Sequence, residues 1–468
     1  MELSHSPSAR FDDPNLIAHA GLVPVLSLAE RAGLTGLIGQ RLVVPGEAGA
    51  SPAAKVACLV AGMVAGVDTI DGMDVLRHGG MRRLFAGVRA PSTLGLFLRA
   101  FTPGTVRQLQ AVARQVLDGL DMATAVLAGT DTVAYVDVDD TIRGTYGYRK
   151  QGAARGYSGV KGLNALLATV SSPTCAPVIA ATRLRPGNSA SATGIASFLA
   201  PVLADTIRRQ RASDSNGPTS GRSMVLVRAD SAYFGQALTR TVARYGAWFS
   251  VTARMDRGVA AAIAKIPEQD WTSIKYRRAV WNEADQQWDS EAQVAEIGYT
   301  AFANRKVEHG VTGRLIVRRV KRLNPKHVPA GQGELFSAWR YHPVFTNSLL
   351  PMLQAEATHR DHAIVEQVIA ELKDGPLAHA PSGRLQANAA WLALAAVAFN
   401  LTRAAGTLAS SFHARSRAAT SRAQLIIVPA RIASRARRLV LHLPMHWPWQ
   451  TCWETLHAAT GPPPRAAT

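Results

Sequence analysis

Two short apolar segments that end in aspartates constrain this chain more than any other feature. Residues 132–138, TVAYVDV, alternate and are rich in β-formers, so they read as a strand running into Asp139 and Asp140. Residues 224–228 read as a second apolar strand that ends at Asp230. Residues 163–170 and 177–183 read as two further strands. A turn at Pro186, Gly187 and Asn188 then leads into a helix over 190–209, and a Ser/Gly-rich loop over 212–222 precedes the second acidic strand. A helix over 236–245 and a strand over 248–253 follow. Three strands, helix, strand, helix, strand is an α/β pattern that suits a mixed sheet.

The flanks have a different character. Residues 14 to about 128 carry apolar residues at helical spacing, with Gly33 as a break. Within them, Arg77, Arg82, Arg83, Arg89, Arg99, Arg107 and Arg114 form a dense basic stretch, and Ser92 behind Pro91 is expected to cap a helix there. Residues 255–345 hold short alternating stretches with scattered Trp271, Trp281, Trp288 and Trp339, a β-rich pattern. Helices resume near 353 and run to 405, and 406–468 is basic with a Pro-rich end. Five segments follow: 1–128 helical, 129–254 α/β, 255–345 β-rich, 346–405 helical again, and 406–468 basic. No internal repeat of fixed period is present.

Charge points to the partner. The 468 residues carry 52 Lys plus Arg against 33 Asp plus Glu, a formal +19. An excess of this size suits a polyanion, because each neutralised phosphate releases counterions. A GC-rich genome accounts for Arg in place of Lys, but not for the excess of cations. Cys58, Cys175 and Cys452 are far apart and form no CxxC pair, which disfavours a disulfide framework or structural zinc and points to a reducing cytoplasm. The N-terminus lacks a signal-peptide pattern, and the apolar runs at 56–67 and 389–399 are too short to span a bilayer, so no membrane association is expected. No Gly-rich Walker loop is present, so no nucleotide cofactor is expected.

The candidate chemistry lies in the acids. Carboxylates at strand ends sit on the edge of an α/β sheet where loops leave room for ligands. Several brought together repel one another unless hard cations bridge them. Asp139, Asp230 and Glu366, the last on a helix in HAIVEQVI, stand out by context. A strand-end Asp taken alone is more often a turn former or helix cap than a ligand. Asp137 and Asp139 share one face of an alternating strand and Asp140 points away, so spacing leaves Asp137 and Asp139 both open as the first acid. HRDH at 359–362 has no Cys or third His nearby, which disfavours zinc.

The series VDVDDT, GYSGVKG (156–162), RPGNSAS, VRADSAYF, VEQVIAELKDG and LQANAAWLALAAVAFNLTR resembles the transposases of insertion sequences in the IS-thirteen-eighty family. These belong to the RNase H-fold DDE group with a β-rich insertion domain. The segment IIVPARIASRARRLVLHLPMHWPW is similar to the family's closing segment, and the resemblance runs from about residue 20 to 455. It implies an RNase H-like core at 129–254 and 346–405, interrupted by the insertion at 255–345 and preceded by a helical DNA-end-binding domain. By position it makes Asp139 the first acid, with Asp137 the alternative, Asp230 the second, and Glu366 the third.

The wider group places Tyr, Arg, Glu and Lys along the last helix. Here those positions hold His359, His362, Glu366 and Lys373, all expected on one helical face. His362 lacks the bidentate fork of Arg. Glu371 is a rival acid on this helix, with no matching Lys seven positions on. Lys373, His362, His359, Lys161, Tyr157 and Arg99 are the expected DNA contacts, and Arg431, Arg435, Arg437 and Arg438 a backbone-binding face. The resemblance further implies two Mg²⁺ ions, replaceable by Mn²⁺, held by the three acids. Cut-and-paste transposition by a homodimer assembled on DNA, in the bacterial cytoplasm at the nucleoid, is the implied activity. The alternatives are an impaired relative that only binds DNA and a metal-dependent nuclease that cuts without joining.

Overall fold

The protein was analysed as a computed structural model that describes residues 8–147, 149–214, 223–277, 279–283, 286–303, 310–321, 339–435 and 438–461. The chain divides into two compact units: 1–126, 145–152 and 370–468 in one, 127–144 and 153–369 in the other.

The first unit is helical. Its centre is Leu385–Ala409, a 25-residue helix apolar on nearly every side, with Trp391, Leu394, Ala395 and Leu401 buried. A helix that is apolar all round must be covered on all faces. Leu22–Arg31, Pro52–Val64, Pro91–Arg99, Pro103–Thr124 and Gln450–Thr460 pack around it. That demand explains why segments from both ends of the chain fold together. It also explains why residues 346–405, read from sequence as one segment, are divided at 369/370. The helix is longer than its apolar run at 389–399, and by length and composition alone it could cross a membrane. However, 89% of its most apolar window is buried inside the unit. Asn388 pairs with Ser382 through both backbone groups, and the Trp391 indole N–H donates to the Pro376 carbonyl at 2.6 Å, so its buried polar atoms are matched. Leu16–Ile17, Ala430–Arg435 and Arg438–His442 form a small antiparallel sheet. The expected cap at Ser92 is absent: Ala90 takes the N-cap position and Pro91 the first helical position, where its missing N–H costs nothing.

The second unit is built on one large mixed sheet. Its principal strands are β1 (Val133–Gly144), β2 (Lys161–Ser171), β3 (Val178–Pro186), β4 (Met224–Ala229), β5 (Trp248–Thr252), β6 (Ala292–Ala301), β7 (Val311–Lys321) and β8 (Trp339–Thr346). With the short Ala154–Arg155 and Thr272–Ser273 they make ten strands among the described residues. The spatial order runs β3-β2-β1-β4-β5-β8-β7-β6. β1 pairs antiparallel with β2 and parallel with β4; β4 pairs parallel with β5. Parallel neighbours need a crossover, and helices Ile195–Asp214 and Gln236–Arg244 stand in the sequence where β4 and β5 require one. Val225, Leu226 and Val227 of β4 are all buried, as a central strand demands. The loop expected over 212–222 begins later, since the helix continues to Asp214; residues 215–222 lie outside the described residues.

The β-rich stretch does not form a separate sheet. β8 pairs antiparallel with β5, so β6, β7 and β8 extend the same sheet outward. Among the described residues of this stretch, the hairpin of Val280–Asn282 and Gln287–Asp289 stands apart, with Trp281 opposite Trp288.

Two glycines of the sequence motifs are explained by close backbone approach. A Cβ on Gly187 would lie 2.0 Å from the Gly162 carbonyl oxygen and 2.4 Å from that of Ala154, and one on Gly162 would lie 2.2 Å from the Arg143 carbonyl oxygen. Backbone carbonyls cannot swing aside as side chains can. Gly187→Ala is therefore expected to cost about 1–3 kcal/mol, read as a lowered midpoint in urea unfolding. An unchanged midpoint would show that the strands separate there without penalty.

Candidate active site

The parallel register of β1 and β4 sets the site. Asp137 lies opposite Arg228 and Val138 opposite Ala229, so Asp139 and Asp230 come next at the end of β4. Side chains two residues apart on a strand share a face. One level therefore holds an acid and a base, and the next holds two acids.

The lower level is closed. Asp137 is fully buried, and Arg228 is 1% exposed. The guanidinium donates through Nε to Asp137 Oδ1 at 2.6 Å and through Nη2 to Oδ2 at 2.7 Å, while Nη1 donates to the Thr358 carbonyl at 2.6 Å. Its carbon lies 4.4 Å from the Tyr135 ring centroid. Asp137 Oδ1 also meets His362 Nδ1 at 2.9 Å. Burial pushes the Asp137 carboxyl up, but Arg228 and His362 outweigh it and hold the group below its ordinary value.

The upper level is open. Asp139 Oδ1 accepts only the N–H of Asp140, at 2.7 Å, and Asp230 caps the turn Ser231–Tyr233 by accepting the Ala232 N–H at 2.9 Å. Neither carboxylate makes an ion pair among the described residues. Burial, reinforced by the charges of Asp230 and Asp140, pushes the Asp139 carboxyl up to about 6. Burial, followed by Asp140, raises Asp230 as well. His362 acts on both in the opposite direction.

Asp140, on the other face, is fully employed. Arg185 Nη2 donates to its Oδ2 at 2.8 Å, Asn164 Nδ2 donates to the same oxygen, and the Tyr233 hydroxyl donates to Oδ1 at 3.1 Å. Arg185 also donates to the carbonyls of Ser191 and Thr193. Burial and the nearby acids push the Tyr233 phenol far up, so it stays a donor. Tyr233 thereby ties the turn after Asp230 to the residue after Asp139.

Against known proteins, the family of transposase DDE domains of group 1 matches residues 4–460, nearly the whole chain. The chain belongs to this transposase family. No curated protein matches the sequence. Membership makes the chain a DNA-binding transposition protein of the insertion-sequence type, from a group of polynucleotidyl transferases that use divalent metal ions.

The transposase's last helices depart from the expected single face. Met352–Arg360 and Ile364–Lys373 are separated by a 3-10 turn, Asp361–Ala363, inside the HRDH sequence. Glu366 is exposed on the second helix, one turn beyond His362, and Lys373 ends that helix. Among the described residues no three His, Cys, Asp or Glu side chains gather closely enough to hold an ion, so Glu366 does not join Asp139 and Asp230 here.

Other candidates have acquired definite surroundings. His359 has both ring nitrogens engaged, Nδ1 with Ser250 Oγ at 2.9 Å and Nε2 with Thr252 Oγ1 at 3.0 Å, which leaves none for a phosphate. Glu371 accepts the Ala418 N–H and pairs with Arg403, inside the helical unit. Tyr157 is 87% exposed, and burial followed by the charges of Asp140, Asp230 and Asp139 raises its phenol, which puts it within electrostatic reach of the acids. Lys161 opens β2 and Arg99 is exposed at the end of Pro91–Arg99. Arg431 pairs with Asp13, Arg435 and Arg438 are partners in the backbone register of the small sheet, and Arg437 lies outside the described residues.

Sequence reasoning missed Arg228, Arg185 and Tyr233. The available signal was a charged residue inside an apolar strand, VLVRAD, which a buried partner must neutralise.

His359 offers a test of the arrangement. Burial, helped by the charges of His362 and Arg228, lowers its pKa from 6.5 to about 3. The unfolded chain therefore binds a proton between those values that the folded chain does not. Stability from this group is complete above pH 6.5 and falls as the pH drops toward 3, by at most about 1.4 kcal/mol per pH unit. Urea unfolding between pH 7 and 5 should show a smaller loss for His359→Asn than for the unsubstituted protein; equal losses would remove His359 from this role.

Proposed function

We propose that this chain is an RNase H-fold insertion-sequence transposase of the IS-thirteen-eighty kind, which hydrolyses DNA at the element ends and joins the freed 3′-OH to target DNA. The observation that carries this reading is the Asp139–Asp230 pair. Two carboxylates with raised pKa values, Asp139 half-buried and Asp230 exposed, stand at one level of neighbouring strands, without an ion-pair partner among the described residues, in a chain of the DDE family. Such a pair is poorly stable alone and well suited to a hard dication. The core order β3-β2-β1-β4-β5, with acids on β1 and after β4, supports the RNase H assignment.

The donor set fits Mg²⁺ or Mn²⁺ in two of its three members. Asp139 and Asp230 would hold the ions, and Glu366 would complete the set from the helix that follows His362. Two bound ions supply activation of the attacking oxygen and stabilisation of the leaving oxygen. The chain's own contribution is placement. The Arg228–Asp137 pair fixes β1 against β4, and the Asp140–Tyr233 bond fixes the Asp230 turn.

The helical segment 1–128, with Arg99, is assigned to the element ends, and Lys161, Tyr157, His362 and Lys373 to the DNA backbone near the reacting phosphate. Two ends must be held for joining, so the active form is a homodimer on DNA, at the nucleoid. That no three acids gather among the described residues favours a second reading, a relative that binds DNA without cutting it. Cleavage of supercoiled plasmid in Mg²⁺ or Mn²⁺ separates the two.

Asp139→Asn, Asp230→Asn and Glu366→Gln are each expected to abolish plasmid cleavage while leaving binding to the element's terminal DNA within about twofold. Wild-type cutting by any one variant removes that residue from the set. Absence of cutting by the unsubstituted chain, with binding intact, establishes the second reading.

A further inference from the structure

His362 acts electrostatically on both open acids, and its own support is unusual. Nδ1 is committed to Asp137, a fully buried carboxylate that Arg228 already grips through two bonds. Nε2 makes no hydrogen bond among the described residues, and the side chain keeps 13% of its surface exposed. Arg185 is spent on Asp140, and Arg228 on Asp137. His362 lowers both Asp139 and Asp230 through its charge.

We infer that Asp137 and Arg228 are positioning residues for His362, holding its ring so that Nε2 faces the space before Asp139 and Asp230, where as an acceptor it takes the hydrogen bond of the water or hydroxyl that approaches the reacting phosphodiester. This rests on the transposase reading above and assigns Asp137 a part different from that of an alternative metal-binding acid. The physical case has three steps. A carboxylate on one ring nitrogen fixes both the rotation of the ring and which nitrogen carries the proton. A carboxylate free to rotate could not do this, and the Arg228 fork removes that freedom. Finally, the fork's third arm holds the Thr358 carbonyl, four residues before His362, so the backbone carrying the histidine is fixed to the same guanidinium. Ring, carboxylate and backbone are thus referred to one buried cation. Asp139 and Asp230 follow Asp137 and Arg228 in the register, one step along the strands from the oxygen that holds Nδ1.

The test is a double-mutant cycle on the full chain, with supercoiled plasmid and Mn²⁺ as the probe. Asp137→Asn is expected to slow cleavage about 10–100-fold, the usual effect of removing a partner behind a functional histidine. His362→Ala should slow it at least as much, and the double variant should be no slower than His362→Ala. Additive losses would overturn the inference, because Asp137 would then act by another route. Should Asp137→Asn fail to fold, Arg228→Lys keeps the charge but lacks the fork, and the same non-additivity with His362→Ala is required of it.

A spectroscopic reading covers what a merely structural role would not move. In ¹⁵N-histidine spectra, the resonance that disappears in His362→Ala should report a protonated Nδ1 in the unsubstituted protein and a tautomeric mixture when Asp137 or the fork is altered. An unaltered tautomer overturns the inference. Absence of plasmid cleavage by the unsubstituted chain would instead overturn the reading as a cutting transposase, whatever the histidine spectra give.

Discussion

The second unit turns on one ion pair placed where water does not reach. Taking a carboxylate and a guanidinium out of water costs several kcal/mol each, and their attraction offsets that only with near-ideal geometry. Asp137 and Arg228 have that geometry: two short parallel bonds, a third to the Thr358 carbonyl, and an aromatic ring under the guanidinium. Such a pair contributes little net stability against a packed apolar pair, yet losing either partner costs about 3–5 kcal/mol because the other is left buried and charged. Its value is specificity. Only one register of β1 on β4 satisfies it, and that register brings Asp139 level with Asp230.

The arrangement of charge around that level follows from the same economy. Two arginines beside the acids are already matched: Arg228 by Asp137, Arg185 by Asp140 and Asn164. What remains is a pair of carboxylates whose negative charge no neighbour cancels. Desolvation raises both pKa values, so the charged form of each carboxyl is disfavoured there. A dication from solution relieves that strain, whereas an arginine in the same place would have quenched the site before any ligand arrived. The matched level below and the unmatched level above are one design read along two strands.

Much of this was legible in the sequence, and the parts that were not have physical reasons. Alternation in TVAYVDV and the apolar run in MVLVRAD locate β1 and β4 because period-two burial leaves a direct trace. The trace says nothing about which strands become neighbours, so the pairing of Asp139 with Asp230 needed the register. Asp137 and Asp139 share a face and look equivalent by spacing; they differ because Arg228 reaches only the first. The single helix expected through 359–373 is broken at Asp361–Ala363, a change of turn type that propensity does not mark. The division of the chain at 369/370 was hidden as well, since four of the five helices named around Leu385–Ala409 lie over 250 residues away in sequence.

The break in that helix bears on why a histidine occupies position 362. A guanidinium there would need several acceptors, and the nearest buried carboxylate is already filled by Arg228. Two arginines on one aspartate would leave a net buried charge, which the apolar strands around it could not solvate. An imidazole asks for a single acceptor, and the second lone pair of Asp137 Oδ1 supplies it. The tight turn before Ile364 brings the ring down to that oxygen, while His359, three residues earlier, satisfies itself on the β5 hydroxyls of Ser250 and Thr252. Where a free arginine would carry its own charge to the DNA, this chain places the permanent charge on Arg228, buries it, and leaves the exposed nitrogen to a side chain that the buried pair can aim.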